Sequence, residues 1–464
     1  MKPALYIDLK LSVMIASLLV LFVFKAGSQT IKFDHSLEKA MELSKQTGKP
    51  IFLFIDVITP PVRSFKSGLE DADVAKRFNA SFINVKLPRD SSSSKYLKNY
   101  YIRSFPAFIF LDKRGNMLYR SHGNFSSPEV FRKLADNALN KAGSGETLSS
   151  FEDRYKAGQL AAPEIKEYIK LKQELGLNNN AELIDAYVDS LPVSALNDYQ
   201  TVLFILKAGP LVYGKAYKLA YTNSKIVDSI YSQEDREDRV AINNTIINNS
   251  FRKAVAEKDL KLATSIATYS QNTYRKENIM EGYKSYQTYM LSYYKAVKDT
   301  SNYLRQASRF YNNYYYRISA DSAMKLDAKK REAAMKKASQ NRVSAPPAGE
   351  IPTKYKQISS YSQTSVRTTS VANTLNSAAW EFYLTGTRNQ EHLINAIKWS
   401  RRSIELSPVY AYYDTLAHLL YRYGFTSEAE AMQKEAVKLS ASQGRPADKG
   451  RMEGELRKIQ KGTL

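Results

Sequence analysis

The sequence predicts an α/β domain followed by an all-α helical-repeat region, and two patterns lead to this prediction. Short apolar runs typical of strands alternate with helical spacings from residue 31 to residue 139. From residue 144 onward, apolar residues recur mainly at intervals of three and four. The 464 residues are enough for several domains with cores of their own. A mean hydropathy of −0.44 excludes a polytopic membrane protein.

The composition excludes several classes of functional site. The chain has no cysteine, which rules out disulfides, thiolate metal sites, iron–sulfur clusters and cysteine nucleophiles. Its four histidines lie far apart in sequence, and no two have the short helical spacing typical of a zinc site. We therefore expect no cofactor and no metal. Lys and Arg exceed Asp and Glu by 68 to 46, which gives a formal net charge of +22.

Residues 1–28 have the pattern of a secretory signal peptide. Lys2 and Lys10 precede an uncharged, mainly apolar stretch from residue 11 to 24, and Ala26 and Ser28 provide small residues before a cut after Ser28. A membrane span needs roughly 17–25 apolar residues, so the shorter stretch favours cleavage over retention as an anchor. The sequence therefore predicts a secreted or periplasmic protein.

Residues 29–142 are predicted to form the α/β domain. The expected strands are Ile31–Phe33, Ile51–Ile55, Phe82–Val85, Ala107–Leu111 and Met117–Arg120. The expected helices are His35–Gln46, a stretch that ends at Phe78, Tyr96–Tyr101 and Pro128–Leu139. The continuous apolar run at residues 51–55 is typical of a strand buried on both faces.

This segment resembles a secreted thioredoxin-like domain. In that family, Gly-Lys-Pro precedes a core strand that leads into Trp-Cys-x-x-Cys. Here residues 48–50 are Gly-Lys-Pro, and the strand leads into Ile58-Thr59-Pro60-Pro61-Val62. The resemblance places Ile58 at the tryptophan, and Thr59 and Val62 at the two cysteines. It also places Leu53 at the buried acid of many members, and Pro106, after Phe105, at the cis-proline that faces the active site.

Residues of these types cannot carry out thiol–disulfide exchange. The reaction needs a thiolate, whereas the threonine hydroxyl is far too weakly acidic and valine has no reactive atom. No histidine lies near Thr59 in sequence to activate it as another kind of nucleophile. We therefore expect a non-enzymatic, redox-inactive domain with no catalytic residue. Its degenerate motif and the groove beside it are expected to hold an extended peptide, and they consist of Ile58, Thr59, Pro60, Pro61, Val62, Phe105 and Pro106.

Residues 143–337 are predicted to form a helical-repeat region. The turns expected between its helices include residues 175–178, 191–192 and 208–210. The stretches 252–259 and 294–299 resemble each other, which indicates a repeated helical hairpin. Twelve tyrosines lie between Tyr269 and Tyr316. Core packing is favoured for them over an aromatic lining for a peptide or glycan, with Tyr314, Tyr315 and Tyr316 partly exposed.

Residues 338–372 are rich in Pro, Ser and Thr and are predicted to be a flexible linker or loop. The lysine-rich stretch before it, from Lys325 to Lys337, is expected to be a solvated helix face. A weak contact with an anionic envelope surface remains an alternative for this stretch. Nucleic acid is not expected as a partner, because a secreted protein rarely meets it.

Residues 373–464 resemble a tetratricopeptide-repeat domain. In that repeat a small residue lies where two helices cross, because only a small side chain lets the backbones approach. Ala379 and Ala396 match this pattern in a first helix pair, and Ala417 and Ala436 match it in a second. Two repeats are fewer than such arrays usually need, so the preceding helices are expected to supply the rest of the stack.

Together these patterns favour a non-catalytic, secreted or periplasmic scaffold that binds a protein or peptide. Stacked helix pairs form a concave surface suited to such a partner. Two alternatives stay open: a structural subunit of a cell-envelope assembly, and an enzyme of unrelated chemistry. The sequence names neither the partner nor the oligomeric state.

Overall fold

The computed structural model describes residues 30–56, 67–177, 179–274, 278–343, 370–444 and 446–464. The described chain forms two compact units, one that ends at Gln159 and one that begins at Leu160. The first contains a small mixed sheet with flanking helices, and the second is almost entirely helical. Within these ranges, no helix is both long enough and apolar enough to cross a membrane. The predicted signal peptide lies outside the described residues.

The first unit is built on one four-stranded sheet with the strand order β2-β1-β3-β4. Strand β1 is parallel to β2 and antiparallel to β3, and β4 is antiparallel to β3. The strands are β1 (Ile51–Asp56), β2 (Ile83–Pro88), β3 (Ala107–Leu111) and β4 (Met117–His122). The helices are α1 (Leu37–Thr47), α2 (Ala72–Ser81), α3 (Ser94–Asn99), α4 (Pro128–Gly143) and α5 (Leu148–Lys156), with a 3-10 turn at Gly68–Glu70. These elements confirm four of the five predicted strands.

The prediction of a further strand at Ile31–Phe33 is wrong. The chain makes a single parallel bridge there, between Asp34 and Val85. The carboxylate of Asp34 then accepts hydrogen bonds from the amides of His35 and Ser36. Ser36 in turn caps α1. The chain therefore turns into the helix before a second residue can pair with β2.

Phenylalanine side chains fill the core on one face of the sheet. Phe52 of β1 packs edge-on against Phe78 of α2, with ring centroids 4.8 Å apart. Phe108 of β3 packs edge-on against Phe131 of α4 at 5.2 Å. Successive side chains of a strand point to opposite faces, and Leu53, on the other face, is also fully buried. Burial of both faces explains why the sequence of β1 is continuously apolar.

The second unit contains fifteen α-helices within the residues that the structure describes. They are α6 (Ala162–Glu174), α7 (Ala181–Asp189), α8 (Tyr199–Ala208), α9 (Lys215–Ala220), α10 (Ser224–Gln233), α11 (Arg236–Glu257), α12 (Leu260–Asn272), α13 (Ile279–Ala296), α14 (Thr300–Tyr311), α15 (Ala320–Val343), α16 (Val371–Leu384), α17 (Gln390–Leu406), α18 (Tyr410–Tyr423), α19 (Thr426–Gln443) and α20 (Pro446–Gln460). A 3-10 helix spans Val193–Asn197 and a π-helix spans Asn312–Tyr316.

Helix α15 extends to Val343, and α16 begins at Val371. The first six residues of the predicted linker, 338–343, therefore belong to a helix. Residues 344–369 lie outside the described ranges. The lysine-rich stretch predicted as a helix face forms part of α15, and Lys325, Lys329 and Arg331 are exposed there.

The last five helices pack in sequence order, with α16 against α17, α18 against α19, and α19 against α20. The small residues named from the sequence are fully buried between them: Ala379, Ala396, Ala417 and Ala436 all have 0% exposed surface. Trp399 of α17 is also fully buried, and its indole N–H donates a 2.7 Å hydrogen bond to the Asn312 side chain. Close helix packing around small residues is thus a feature of this part of the chain.

Candidate functional site

One end of the sheet brings together residues from several separate segments. Strands β1 and β2 both end there, at Asp56 and Pro88, and β3 begins there at Ala107. His122, at the end of β4, pairs with Ala107. We call this end of the sheet the Pro106 edge, and its described members are Asp56, Arg89, Phe105, Pro106 and His122. The Phe105–Pro106 peptide bond is cis.

Of the residues predicted from the sequence, Phe105 and Pro106 lie at this edge. Ile58, Thr59, Pro60, Pro61 and Val62 lie outside the described residues, so their placement stays a prediction. The described chain stops at Asp56 and resumes at Ser67.

The chain on both sides of that interval is held close to the end of the sheet. The carbonyl of Asp56 accepts a 3.0 Å hydrogen bond from the Arg89 amide. Its carboxylate pairs with Lys86 at 2.9 Å. After the interval, the Gly68 amide donates to the Phe125 carbonyl at 3.0 Å. A Cβ atom on Gly68 would lie 2.5 Å from the main chain of Ser127, so this approach requires glycine.

The main-chain N–H and C=O of Phe105 are unpaired among the residues that the structure describes. Neither its N–H nor its C=O has a hydrogen-bond partner among the described residues, whereas the Pro106 carbonyl accepts from Gly123 at 3.0 Å. Phe105 is half-buried. A free donor and a free acceptor on one partly exposed residue are what an added extended chain needs for strand-like hydrogen bonds.

A positive charge lies beside these main-chain groups. The guanidinium of Arg89 lies over the Phe105 ring, with its Cζ 4.3 Å from the ring centroid. Arg89 and Arg103 are both exposed. Burial lowers the pKa of His122, and nearby Arg120 lowers it further.

A cavity of about 560 Å³ lies at the opposite end of the sheet. The register of β1 and β3 places it there, because Ile51 pairs with Leu111 while Ile55 pairs with Ala107. Its walls come from the start of β1, the β3–β4 turn, β4, α4 and α5. The residues that line it are Gly48, Pro50, Asp112, Lys113, Arg114, Leu118, Ala142, Thr147, Ser149, Ser150, Asp153 and Arg154.

The polar groups of this cavity are largely bonded to one another. Asp112 accepts a hydrogen bond from the Ser149 hydroxyl, which itself accepts from the Asn116 amide group at 2.7 Å. Arg114 makes two hydrogen bonds to Asp153, at 2.5 and 3.0 Å. These bonds join α5 to the β3–β4 turn. The arrangement therefore has a clear structural role in fixing α5.

A buried polar cluster in the last helices also has a structural role. The Nδ1 of His418 lies 2.8 Å from the Asp414 carbonyl, which can only accept, so Nδ1 carries the proton. Its Nε2 lies 3.5 Å from Glu455 of α20. The Gln433 amide group donates to the Asp414 carboxylate at 3.0 Å. The cluster connects α18 with α19 and α20, and among the described residues no group of His, Asp and Glu has the arrangement of a metal site.

The prediction of core packing holds for part of the tyrosine-rich stretch: Tyr269, Tyr293, Tyr294 and Tyr303 are buried, whereas Tyr274 and Tyr283 are exposed. The hydroxyls of Tyr231 and Tyr269 both donate to the Asn243 side chain, at 2.8 and 2.7 Å. Tyr217 stacks on Tyr221 with ring centroids 4.3 Å apart. Burial raises the pKa of Tyr217 to about 12. Tyr314, Tyr315 and Tyr316 are half-buried in the π-helix, as predicted.

The comparisons with known proteins place no family name on the chain. No family model and no curated protein matches it. A solved structure described as "DsbH Oxidoreductase" is similar to part of the chain, at 19% sequence identity and a TM-score of 0.20. The match covers 24% of this chain and 85% of that one. The absence of cysteine makes a thioredoxin-type redox site impossible in this chain.

Proposed function

We propose that this chain is a non-catalytic, secreted or periplasmic protein that binds an extended segment of a protein or peptide. In this proposal the first unit is a redox-inactive thioredoxin-like domain. The last helices form a tetratricopeptide-repeat-like scaffold that offers a second surface for protein contacts. Binding occurs at the Pro106 edge.

The main-chain N–H and C=O of Phe105, which have no hydrogen-bond partner in the part of the chain that the structure describes, carry this proposal. An extended chain can hydrogen-bond to them in the manner of an added strand, and such bonds hold a peptide whatever its side chains are. The half-buried ring of Phe105 offers an apolar contact beside them. Without a thiolate, the same edge can bind a partner but cannot exchange disulfides with it.

Site-specific photocrosslinking tests the proposal. In one variant Phe105 is replaced by benzoylphenylalanine, and in a second the exposed Lys113, at the opposite end of the sheet, is replaced by the same residue. Both proteins are expressed in cells and irradiated, and crosslinked peptides are identified by mass spectrometry. We expect position 105 to crosslink to a recurring, defined segment of a partner and position 113 not to do so.

Two results would contradict the proposal. One is the absence of any crosslink at position 105 in a folded protein, with folding checked by circular dichroism. The other is an identical set of crosslinked peptides at positions 105 and 113, which would indicate random collisions instead of binding at the Pro106 edge.

A second candidate function, as a structural subunit of a cell-envelope assembly, is favoured by one observation. Tyr274, Ile279, Met280 and Tyr283 have exposed fractions of 43–63%. Ile279, Met280 and Tyr283 lie in the first turns of α13, and the Tyr274 side chain is 3.5 Å from where a Cβ on Gly282 of the same helix would be. Exposed apolar side chains that cluster in this way are typical of protein contacts.

This second candidate predicts a stable complex. The variant Met280→Glu with Tyr283→Glu should release the protein from large assemblies on size-exclusion chromatography of a mild envelope extract. The exposed-site variant Val193→Glu serves as the control, since Val193 is 83% exposed and lies elsewhere in the second unit. Elution of the unmodified protein as a free monomer would contradict a structural role.

A further inference from the structure

We infer that the Pro106 edge selects an acidic extended segment and that Arg89 is the residue that recognises its carboxylate. The inference rests on the proposed function and adds the chemical class of the partner. It follows from how Arg89 is held, from what lies beside it, and from the charges of its surroundings.

Arg89 is fixed at both ends. Its main-chain amide donates to the Asp56 carbonyl at 3.0 Å, and its guanidinium lies over the Phe105 ring at 4.3 Å. A guanidinium that lies on an aromatic ring contacts it through the flat face of the guanidinium. Its N–H groups point outward in the plane of the guanidinium and can still bind a carboxylate. Among the described residues, no acceptor bonds to this guanidinium and no acid pairs with it.

Three other arginines of the first unit differ in this respect. Arg77 pairs with Asp136, Arg114 with Asp153, and Arg132 with Glu129. Their charges are balanced within the fold. Arg89 instead carries an exposed, oriented positive charge with no described acid opposite it, which is the arrangement expected of a residue that receives an anionic group from a partner.

The free main-chain groups belong to the same residue whose ring supports Arg89. A peptide that pairs with Phe105 places side chains within about 5 Å of those of Phe105, the usual distance between facing residues of paired strands. A carboxylate on the peptide can therefore reach the guanidinium while the main chain stays bonded to Phe105. The main-chain hydrogen bonds to Phe105 provide affinity for any extended chain, and the guanidinium of Arg89 favours a peptide with Asp or Glu.

The charges around the edge support the same choice. Asp56 is paired with Lys86, which offsets its charge. The exposed carboxylate of Asp90 keeps its charge, but it accepts hydrogen bonds from Ser92 at 2.5 and 2.8 Å and does not pair with Arg89. Arg103, which precedes Phe105 by two residues in the sequence, is exposed. The net charge of +22 adds a long-range attraction toward acidic partners.

Selection from a phage-displayed library of random peptides, about ten residues long, tests the inference on the full chain. Wild-type protein should enrich Asp and Glu over Lys and Arg. For a selected peptide, replacement of its acidic residue by the amide should weaken binding by about two- to fivefold, the range of an exposed ion pair. Fluorescence polarisation measures this difference, which should shrink in high salt.

Three variants make the test specific. Arg89→Glu should reverse the preference toward Lys and Arg, whereas Arg89→Lys should keep the sign of the preference but weaken it, because lysine lacks the flat guanidinium. Lys113→Glu is the matched control: it makes the same change of charge at the opposite end of the sheet and should leave the preference unchanged.

The outcomes separate the two proposals. If wild-type protein and Arg89→Glu select peptides of the same charge, the inference about Arg89 is wrong and the binding function stands. If Lys113→Glu shifts the preference as much as Arg89→Glu, overall charge and not Arg89 is responsible, which also overturns the inference. If the folded protein selects no peptide and position 105 does not crosslink, the proposed function itself is wrong.

Discussion

Asp112 illustrates how a single side chain determines local structure in this protein. Its carboxylate accepts hydrogen bonds from the amides of Arg114 and Asn116, at 2.8 and 2.9 Å, and from the Ser149 hydroxyl. The first two shape the turn between β3 and β4, and the third attaches α5. Ordinary hydrogen bonds contribute about 1 kcal/mol each to stability, and bonds to a charged group contribute more. One residue thus orients both a hairpin and a helix.

At the Pro106 edge, the surroundings of His122 lead to a prediction about its pKa. Burial and Arg120 lower the pKa of His122, so we expect it to titrate below its ordinary value of 6.5. A proton then binds the unfolded chain more readily than the folded one. The contribution of His122 to the free energy of unfolding is therefore greatest above pH 6.5. It decreases as the pH falls from 6.5 toward the pKa of His122 in the folded state.

Nuclear magnetic resonance of the four histidine side chains measures this value directly. The variant His122→Gln assigns the resonance and should remove the corresponding part of the pH dependence of the free energy of unfolding. A His122 resonance that titrates at or above pH 6.5 would show that its surroundings are more polar than the structure indicates.

Two turns between helices of the second unit have the same structure. Lys258 and Lys298 both adopt left-handed backbone conformations, with φ of 54° and 61°. Asp259 and Asp299, which follow them, each cap the next helix by accepting a hydrogen bond from the amide three residues on. The two similar stretches of sequence therefore form the same helix–turn–helix connection.

Small residues between helices give a second prediction at this scale. Replacement of the fully buried Ala436 by Leu should lower the free energy of unfolding by about 1–3 kcal/mol, because the larger side chain has no space against the neighbouring helices. Ala431 on the same helix is exposed, and Ala431→Leu is therefore the matched control, expected to change stability by less than about 0.5 kcal/mol.

Urea unfolding followed by tryptophan fluorescence is the appropriate measurement. Trp380 and Trp399 are the two tryptophans of the chain, and both lie in the second unit, so the signal reports on the unit that carries these alanines. Equal effects of the two substitutions would contradict close packing around Ala436.

On the scale of the whole molecule, the chain combines an α/β unit with a helical unit and a strong excess of positive charge. Neither unit contains cysteine. Both units therefore depend on packing and hydrogen bonds for their stability, with no contribution from disulfides. Reducing agents should leave the unfolding of the whole protein unchanged.

The absence of cysteine also allows a clean test of the thioredoxin-like resemblance. The wild-type chain should not accelerate the reduction of insulin by dithiothreitol, because the protein has no cysteine to supply a thiolate. The variant Thr59→Cys with Val62→Cys should form an internal disulfide and gain weak activity. The resemblance to the thioredoxin-like family implies that position 59 begins a helix, and the free amides at a helix start lower the pKa of a cysteine. Leu53, fully buried in β1, cannot relay a proton, which keeps the activity low.

The single variant Thr59→Cys is the control, since it has a thiol but no partner within the chain. If the double variant forms no internal disulfide under oxidising conditions, positions 59 and 62 do not correspond to the two cysteines of the family. Insulin reduction by the wild-type chain would contradict the redox-inactive assignment altogether.

Much of the fold follows from local sequence. The apolar run from Ile51 to Ile55 identified the central strand, because a strand covered on both faces can carry an apolar residue at every position. The small residues Ala379 and Ala436 marked close contacts of helices for an equally local reason. The false strand at Ile31–Phe33 shows the limit, since the apolar pattern did not reveal that Asp34 and Ser36 start a helix at once.

By itself the sequence determined the loss of thiol chemistry and the order of the four strands of the sheet, and it predicted a binding role for Phe105 and Pro106. Only the tertiary structure placed Arg89 on the Phe105 ring and His122 beside Ala107, and only it joined Asp112 to Ser149, 37 residues away. Composition and periodicity report on residues that are close together in the sequence. Contacts between strand ends depend on register and sheet order, which are set by the packing of the whole unit.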